Sequence, residues 1–304
     1  MAKRISVFSL ILISVSSLAI GSCAESTPEV QYVTFPDKNL DEFIRQALDK
    51  PADEMITTTE LATLTELDAH GKGISNLSGL EYCTNLSYLQ LHYNQISDIS
   101  PLANLTDLNE LYLEFNQISD ISPLANLNNL TVLFLLHNHR ISDISHLAGL
   151  TNLTSLWMQS NKISDISSLA DLTNLQDLRM QDNQISDISP LANLTNLTFL
   201  EIRSNQISDI SPLANLTNLN HLDLSNNQIS DISPLVNLIN LNHLDLSNNQ
   251  ISDISPLVEN PGLGTGDTVC LEENNLDLEE GSDDMQNIKI LEDRGVSPRR
   301  YPRV

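Results

Sequence analysis

ISDISPLANLTNLTFLEIRSNQ, residues 185–206, is one unit of a pattern that fills most of this 304-residue chain. Its opening ISDIS recurs at 96, 118, 141, 163, 185, 207, 229 and 251, with a variant, ISNLS, at 74. The interval is 22 residues every time except one, where it is 23. Eight complete units run from Ile74 to Gln250. A fixed period of this length marks a stacked array, and it takes precedence over any local helix or strand assignment.

Each unit contains two hydrophobic periods. In residues 86–108, Leu89 and Leu91 alternate with Tyr88, Gln90 and His92, which is the period of a strand. Ile96, Ile99, Leu102 and Leu105 then recur every third residue, as in 3₁₀ turns. Pro101, Pro123, Pro190, Pro212, Pro234 and Pro256 forbid one long helix through this segment. Seven apolar positions per unit point inward, too few for one unit to fold alone, so neighbouring units must complete the core. Stacking then places the strands in a parallel sheet, about 4.8 Å apart. An asparagine follows every strand: Asn94, Asn116, Asn138, Asn161, Asn183, Asn205, Asn227 and Asn249. An amide offers both donors and an acceptor to the backbone where the chain turns inward, so this series is read as structural.

These units resemble the 22-residue leucine-rich repeats of the internalin family, over roughly residues 35–280. The resemblance implies an α/β solenoid with a concave parallel β-sheet, convex 3₁₀ and irregular turns, and a helical N-terminal cap. It also implies a cell-surface protein that binds partners through its concave face. Members known for host binding carry further domains after the repeats. Here the sequence ends soon after them, so only a general binding role is expected.

Open solenoid ends would expose core leucines, and both flanks read as caps. Leu40, Phe43, Ile44, Ala47 and Leu48 fall at helical spacing behind a capping Asp37. Thr57 and Glu60 fit a capping box for a second short helix. Residues 64–73 form a degenerate first coil, with Ala69 and Lys72 where Leu and Asn would stand. After the repeats, Val269, Leu271 and Asn274 keep one more strand and its asparagine, and Met285, Ile288 and Leu291 suggest a closing helix begun at Asp283. The basic end, with Arg299, Arg300 and Arg303, is expected to be loose.

The first residues read as a targeting segment. Lys3 and Arg4 precede an uncharged apolar run from Ile5 to Ile20, too short for a comfortable membrane span. Ile20-Gly21-Ser22-Cys23 resembles the lipobox of bacterial lipoproteins. That resemblance implies cleavage before Cys23, acylation of that cysteine, and export to the cell envelope or surface. The expected organisation is a lipoprotein signal peptide at 1–22, a tether at 23–34, the N-terminal cap and first coil at 35–73, repeats at 74–256, and the last coil, C-terminal cap and tail at 257–304. Cys83 and Cys270 lie at opposite ends of the array and should not pair; Cys270 is read as facing outward.

Net charge is −25, with 15 basic residues against 40 acidic ones. Such a chain repels nucleic acid and anionic lipid, so the membrane is met through the anchor alone. Of thirteen aromatic residues, seven fall on outward strand positions: Tyr88, Tyr93, Tyr112, Phe115, Phe134, Trp157 and Phe199. The core does not need them, and drift would scatter them over the convex side as well. With His92, Glu114, His137, Gln159, Arg179 and Arg203, they make the expected ligand-binding face, centred on Tyr112, Phe134 and Trp157. The expected ligand is a protein or peptide, with a glycan open, and the chain is expected to be a monomer.

His221 and His243 fall in one column, with Asp223 and Asp245 in the next, which admits zinc as a minor reading beside simple duplication of two near-identical units. The eight aspartates Asp98, Asp120, Asp143, Asp165, Asp187, Asp209, Asp231 and Asp253 are read as local Asx-turn acceptors. No nucleophile with an oxyanion pocket accompanies these residues, so neither an enzyme nor a cofactor is expected. The reading is a lipid-anchored extracytoplasmic recognition module. The alternatives are a surface adhesin for glycan or matrix, and a phosphatase-regulator-like scaffold should the chain reside in the cytosol.

Overall fold

A computed structural model describes residues 30–299, and Cys23 and the segments 1–29 and 300–304 lie outside the described residues. Among the described residues one parallel sheet of eleven strands runs in chain order. Its strands are β3 (Glu66–Asp68), β4 (Tyr88–Gln90), β5 (Glu110–Tyr112), β6 (Val132–Phe134), β7 (Ser155–Trp157), β8 (Asp177–Arg179), β9 (Phe199–Glu201), β10 (His221–Asp223), β11 (His243–Asp245), β12 (Thr268–Cys270) and β13 (Ser297–Arg299). Short 3₁₀ segments return the chain, and four of the three-residue ones read Ser-Pro-Leu, as at Ser189–Leu191. Proline fits there because an early helical position needs no N–H donor. The seven inward residues of unit 185–206 are each 1 % exposed or less.

The asparagines bind coil to coil. Asn116 accepts the Ile96 N–H at 3.0 Å through Oδ1, while its Nδ2 donates to Leu91 O at 2.9 Å and Leu113 O at 3.1 Å. Asn94, Asn138, Asn183, Asn205, Asn227, Asn249 and Asn274 repeat this bridge. Asn161 breaks the series: its Nδ2 donates as usual, but its buried Oδ1 finds no partner. The cause is the 23-residue unit. One extra residue separates Asn138 from Ile141, and His139 takes a left-handed φ of 61° beside His137 at 56°. The inserted residue carries the Ile141 N–H out of reach. The eight aspartates accept a backbone N–H two residues on, at 2.8–2.9 Å, as Asx turns.

The N-terminal cap joins α1 (Lys38–Ala47), α2 (Thr58–Leu61) and an antiparallel pair, β1 (Tyr32–Val33) with β2 (Ile56–Thr57). The cap therefore begins inside the stretch read as tether. Asp37 uses both carboxylate oxygens. Oδ1 caps α1 at Asn39 N, 3.0 Å, and Leu40 N, 3.2 Å, while Oδ2 accepts Ser75 N at 2.8 Å and Asn76 N at 3.2 Å from the first coil. Thr57 and Glu60 form the expected capping box.

At the other end α3 (Ser255–Glu259) replaces the last 3₁₀ turn, and α4 (Asp283–Asp293) closes the core with buried Ile288 and Leu291 behind Ser282 as cap. Arg299, read as part of a loose basic end, instead belongs to the final strand Ser297–Arg299, parallel to β12, while Arg300 and Arg303 lie outside the described residues. Gly295, at a φ of 89°, turns the chain after α4, Val296 is buried, and Ser297 N donates to Asp267 O at 2.8 Å. Cys270 differs too. It is 6 % exposed, because Arg299 stands beside it in register. Cys83 and Cys270 are both buried and are not joined to each other.

Asn116→Ala strands the buried Ile96 N–H and should lower stability by about 3 kcal/mol. Asn161→Ala strands no such donor and should cost measurably less in chemical denaturation. Equal losses would show that the amide's donors, not its acceptor, hold the coils together.

Candidate functional site

Strand spacing decides the geometry of the outward face. Neighbouring parallel strands lie about 4.8 Å apart, which is also the separation at which rings stack. Rings at equal positions on successive coils therefore meet. Tyr112 and Phe134 lie 5.0 Å apart between centroids and edge-on, and Phe134 and Trp157 4.0 Å apart and parallel within 7°, while Tyr88, in the neighbouring column with Glu110, meets Tyr112 across columns at 5.6 Å. The expected centre is thus assembled as a continuous row.

The row continues through a side chain whose role sequence did not reveal. Arg179 places its guanidinium 4.0 Å from the Trp157 ring and 4.2 Å from that of Phe199. It also donates twice to Asp177, at 3.0 and 3.1 Å, and approaches Glu201 at 3.8 Å. Phe199 stacks on His221 at 4.0 Å, and His221 on His243 at 4.5 Å. Arg179 belongs to the column of Trp157, whereas Phe199 belongs to the neighbouring column, so the arginine carries the row across. A sequence signal did exist: an arginine flanked by aromatics at intervals of 22 and 20 residues.

A second row lies just past the strand ends. His70 stacks on His92 at 4.8 Å, and His92 meets Tyr93 at 5.5 Å. Tyr93 stacks on Phe115 at 4.3 Å and Phe115 on His137 at 4.4 Å. Tyr93, Phe115 and His137 had been read as strand positions. They occupy the turn that follows, at φ 56°, 54° and 56°. Later coils fill this left-handed position with Ser160, Asp182, Ser204, Asn226, Asn248 and Glu273. Bulky side chains there cost of order 1 kcal/mol each relative to Asn or Gly.

Polar groups complete the face. Tyr112 donates its hydroxyl to Glu110 at 2.6 Å, and burial, then Glu110, pushes that phenol well up. Gln159, expected as a contact residue, is only 7 % exposed and forms part of the floor. Arg203 lies 3.6 Å from Asp223 and 3.9 Å from Asp182. Burial pushes the carboxyls of Glu114 and Asp223 up. Glu201 is held down, first by His221 and then, against its burial, by Arg179.

This geometry gives the zinc reading no support. His221 and His243 lie face to face within 11°, so their ring nitrogens do not converge on one point. Asp223 and Asp245 each accept from a serine hydroxyl, Ser225 and Ser247, at 2.6 Å. Among the described residues no group of three or more His, Cys, Asp or Glu is arranged to hold a metal.

Stacked imidazoles make the face acid-sensitive. His92, His137 and His243 are held below the ordinary value of 6.5 by burial first, and then by His70, His139 and His221 respectively. Asp68 opposes this at His92, Asp182 at His137, and Asp245 and Asp223 at His243, where Arg299 reinforces it. The unfolded chain therefore takes up these protons first. Their stabilisation is complete above pH 6.5 and lost as pH falls through the lowered folded values. The thermal midpoint should decline in that window, and His92→Asn with His243→Asn should flatten the decline; an unchanged slope would exclude the stacks as its source. Trp157, the one tryptophan of the chain, reports on the cation. Arg179→Gln should shift its emission to the red, whereas an unchanged spectrum would mean that the guanidinium does not cover the indole.

A family model for leucine-rich repeats in pairs of copies matches residues 62–104, 84–126, 106–149, 128–171, 151–193, 173–215 and 217–259. An internalin (inlF) of Listeria monocytogenes is 36% identical, with a TM-score of 0.60, over 88% of this chain and 91% of that one. Internalin C2 (inlC2) of the same species is 43% identical, with a TM-score of 0.67, over 72% of this chain and 97% of that one. The Arabidopsis receptor kinase HAESA, solved with the peptide hormone IDA and the co-receptor SERK1, shares the fold at 24% identity and a TM-score of 0.62, over 70% of this chain and 39% of that one. Comparison with curated protein sequences gives no significant match. With its repeats in register, its helical N-terminal cap and these two internalins alongside, the chain belongs to the leucine-rich repeat proteins of the internalin type.

Proposed function

We propose that this protein is an extracytoplasmic recognition module that binds a protein or peptide ligand on the concave face, and that Cys23 carries a lipid anchor. The observation that carries the binding reading is the second ring row. Tyr93, Phe115 and His137 stand at backbone positions where the later coils carry Ser, Asp, Asn or Glu and no ring. A fold gains nothing from bulky rings at left-handed positions, so their retention points to a use outside the fold. Tyr93 is 57% exposed, and its ring stacks on Phe115 in a row separate from that of Tyr112, Phe134 and Trp157. Exposed rings with carboxylates between them have the composition of an interface core. Solenoids present such extended surfaces to partners, and the fold shared with a receptor solved around a peptide hormone supports that use.

Binding fits this face better than catalysis. The stacked histidines have their faces covered, and the carboxylates of Asp223 and Asp245 are engaged by serines. The anchor rests on the sequence around Cys23 and on the uncharged run before it.

A quantitative pull-down from envelope or secreted extract tests the binding reading. The native protein should retain a partner that a Tyr112→Ala/Phe134→Ala/Trp157→Ala variant, shown by circular dichroism to be folded, loses. Equal retention by both, or none by either, would turn the reading toward diffuse adhesion or scaffolding. Metabolic labelling with a fatty-acid analogue tests the anchor: label should be incorporated by the native chain and absent from Cys23→Ser.

A further inference from the structure

Glu114 occupies an unusual place on the concave face. It follows Tyr112 by two residues and precedes Phe115, so its side chain leaves the sheet between the two ring rows. The neighbouring coils present His92 and Leu136 at the same position. Glu114 Oε2 is buried without a hydrogen-bond partner, although the residue as a whole is partly exposed to the groove. No Lys, Arg or His forms an ion pair with it among the described residues.

Neighbouring carboxylates of the face are engaged. Glu110 accepts from Tyr112, Asp177 pairs with Arg179 and accepts Trp157 Nε1 at 3.1 Å, and Glu201 faces Arg179 and His221. A buried, uncompensated carboxylate is costly to a fold, and its natural complement is a cation. A neutral hydroxyl would satisfy one oxygen and leave the charge without a counterion.

The chain itself contains the occupied form of such a site. Arg179 lies between the rings of Trp157 and Phe199 while its guanidinium pairs with Asp177. Glu114, with Tyr112 and Phe134 on one side and Phe115 on the other, offers carboxylate and rings with no cation supplied. We propose that Glu114 is the receptor for a lysine or arginine side chain of an extended peptide ligand, seated between the two ring rows. This rests on the binding reading above and names the chemistry of its ligand. The net charge of −25 favours the approach of a basic segment, and the rings at either side take its apolar neighbours.

The test is selection of displayed random dodecapeptides on the purified protein at physiological salt. Three variants run in parallel: Glu114→Gln, Asp98→Asn and the triple ring variant. Asp98→Asn removes the same unit charge at an exposed Asx turn and keeps the turn acceptor. The native protein and Asp98→Asn should enrich peptides with Lys or Arg beside an apolar residue. Glu114→Gln should lose that preference, and the best selected peptide should bind it roughly thirtyfold more weakly. Glu114→Gln should also melt no lower than the native protein; a lower midpoint would mean that the carboxylate has a structural partner, and would overturn the proposal. Ring-dependent peptides without a basic preference, or with one that persists on Glu114→Gln, overturn this inference alone. Peptides that bind the triple ring variant equally, or no enrichment at all, overturn the concave-face reading and this one with it.

Discussion

One side-chain amide after each strand from β4 to β12 holds this structure together. Its acceptor takes a backbone N–H from the preceding coil, and its donors reach carbonyls of its own turn and of that neighbour. An inward turn buries backbone groups that no sheet ladder can satisfy, and asparagine is short enough to serve them without filling the core. Since each amide spans two coils, the register of the stack is set at every step. Columns on the sheet face follow from that register, and ring stacking follows from the columns. The one interrupted link, at Asn161, coincides with the one unit of a different length.

The face that results is asymmetric. Early coils carry rings in two rows, while late coils carry His, Asp and Ser and place no ring at the left-handed turn. Two of its arginines are already committed. Arg179 is sandwiched and paired, and Arg203 faces Asp182 and Asp223. The charge of these two is thus spent on the face's own carboxylates, and among the described residues Glu114 beside the rings has no ion-pair partner. Stability and recognition pull in opposite directions there, as expected where a surface is kept for a partner.

Both ends show how a repeat is stopped. Asp37 splits its two oxygens between capping α1 and holding the first coil, so the cap and the array share one carboxylate. The last strand carries Pro298 at the free edge of the sheet, where a missing N–H does no harm and discourages further pairing.

Period and composition determined the repeat length, the inward residues, the strand and 3₁₀ assignments, the Asx turns and the capping residues Asp37 and Thr57. All of these depend on contacts within a coil or with an identical neighbour, so a local pattern suffices to read them. The candidate face was legible as a list of outward residues, because strand alternation is a local property. Only the tertiary structure decided which of them touch. Arg179 joins rings of two different columns, Tyr93, Phe115 and His137 sit past the strand at positive φ, and the histidine pair lies flat instead of converging. Those outcomes depend on rotamer and on the rise between coils, which a one-dimensional pattern does not carry. The closing strand at Ser297–Arg299 was hidden for the same reason, since it owes its place to α4 and Gly295 turning the chain back to β12 and to no repeat of its own.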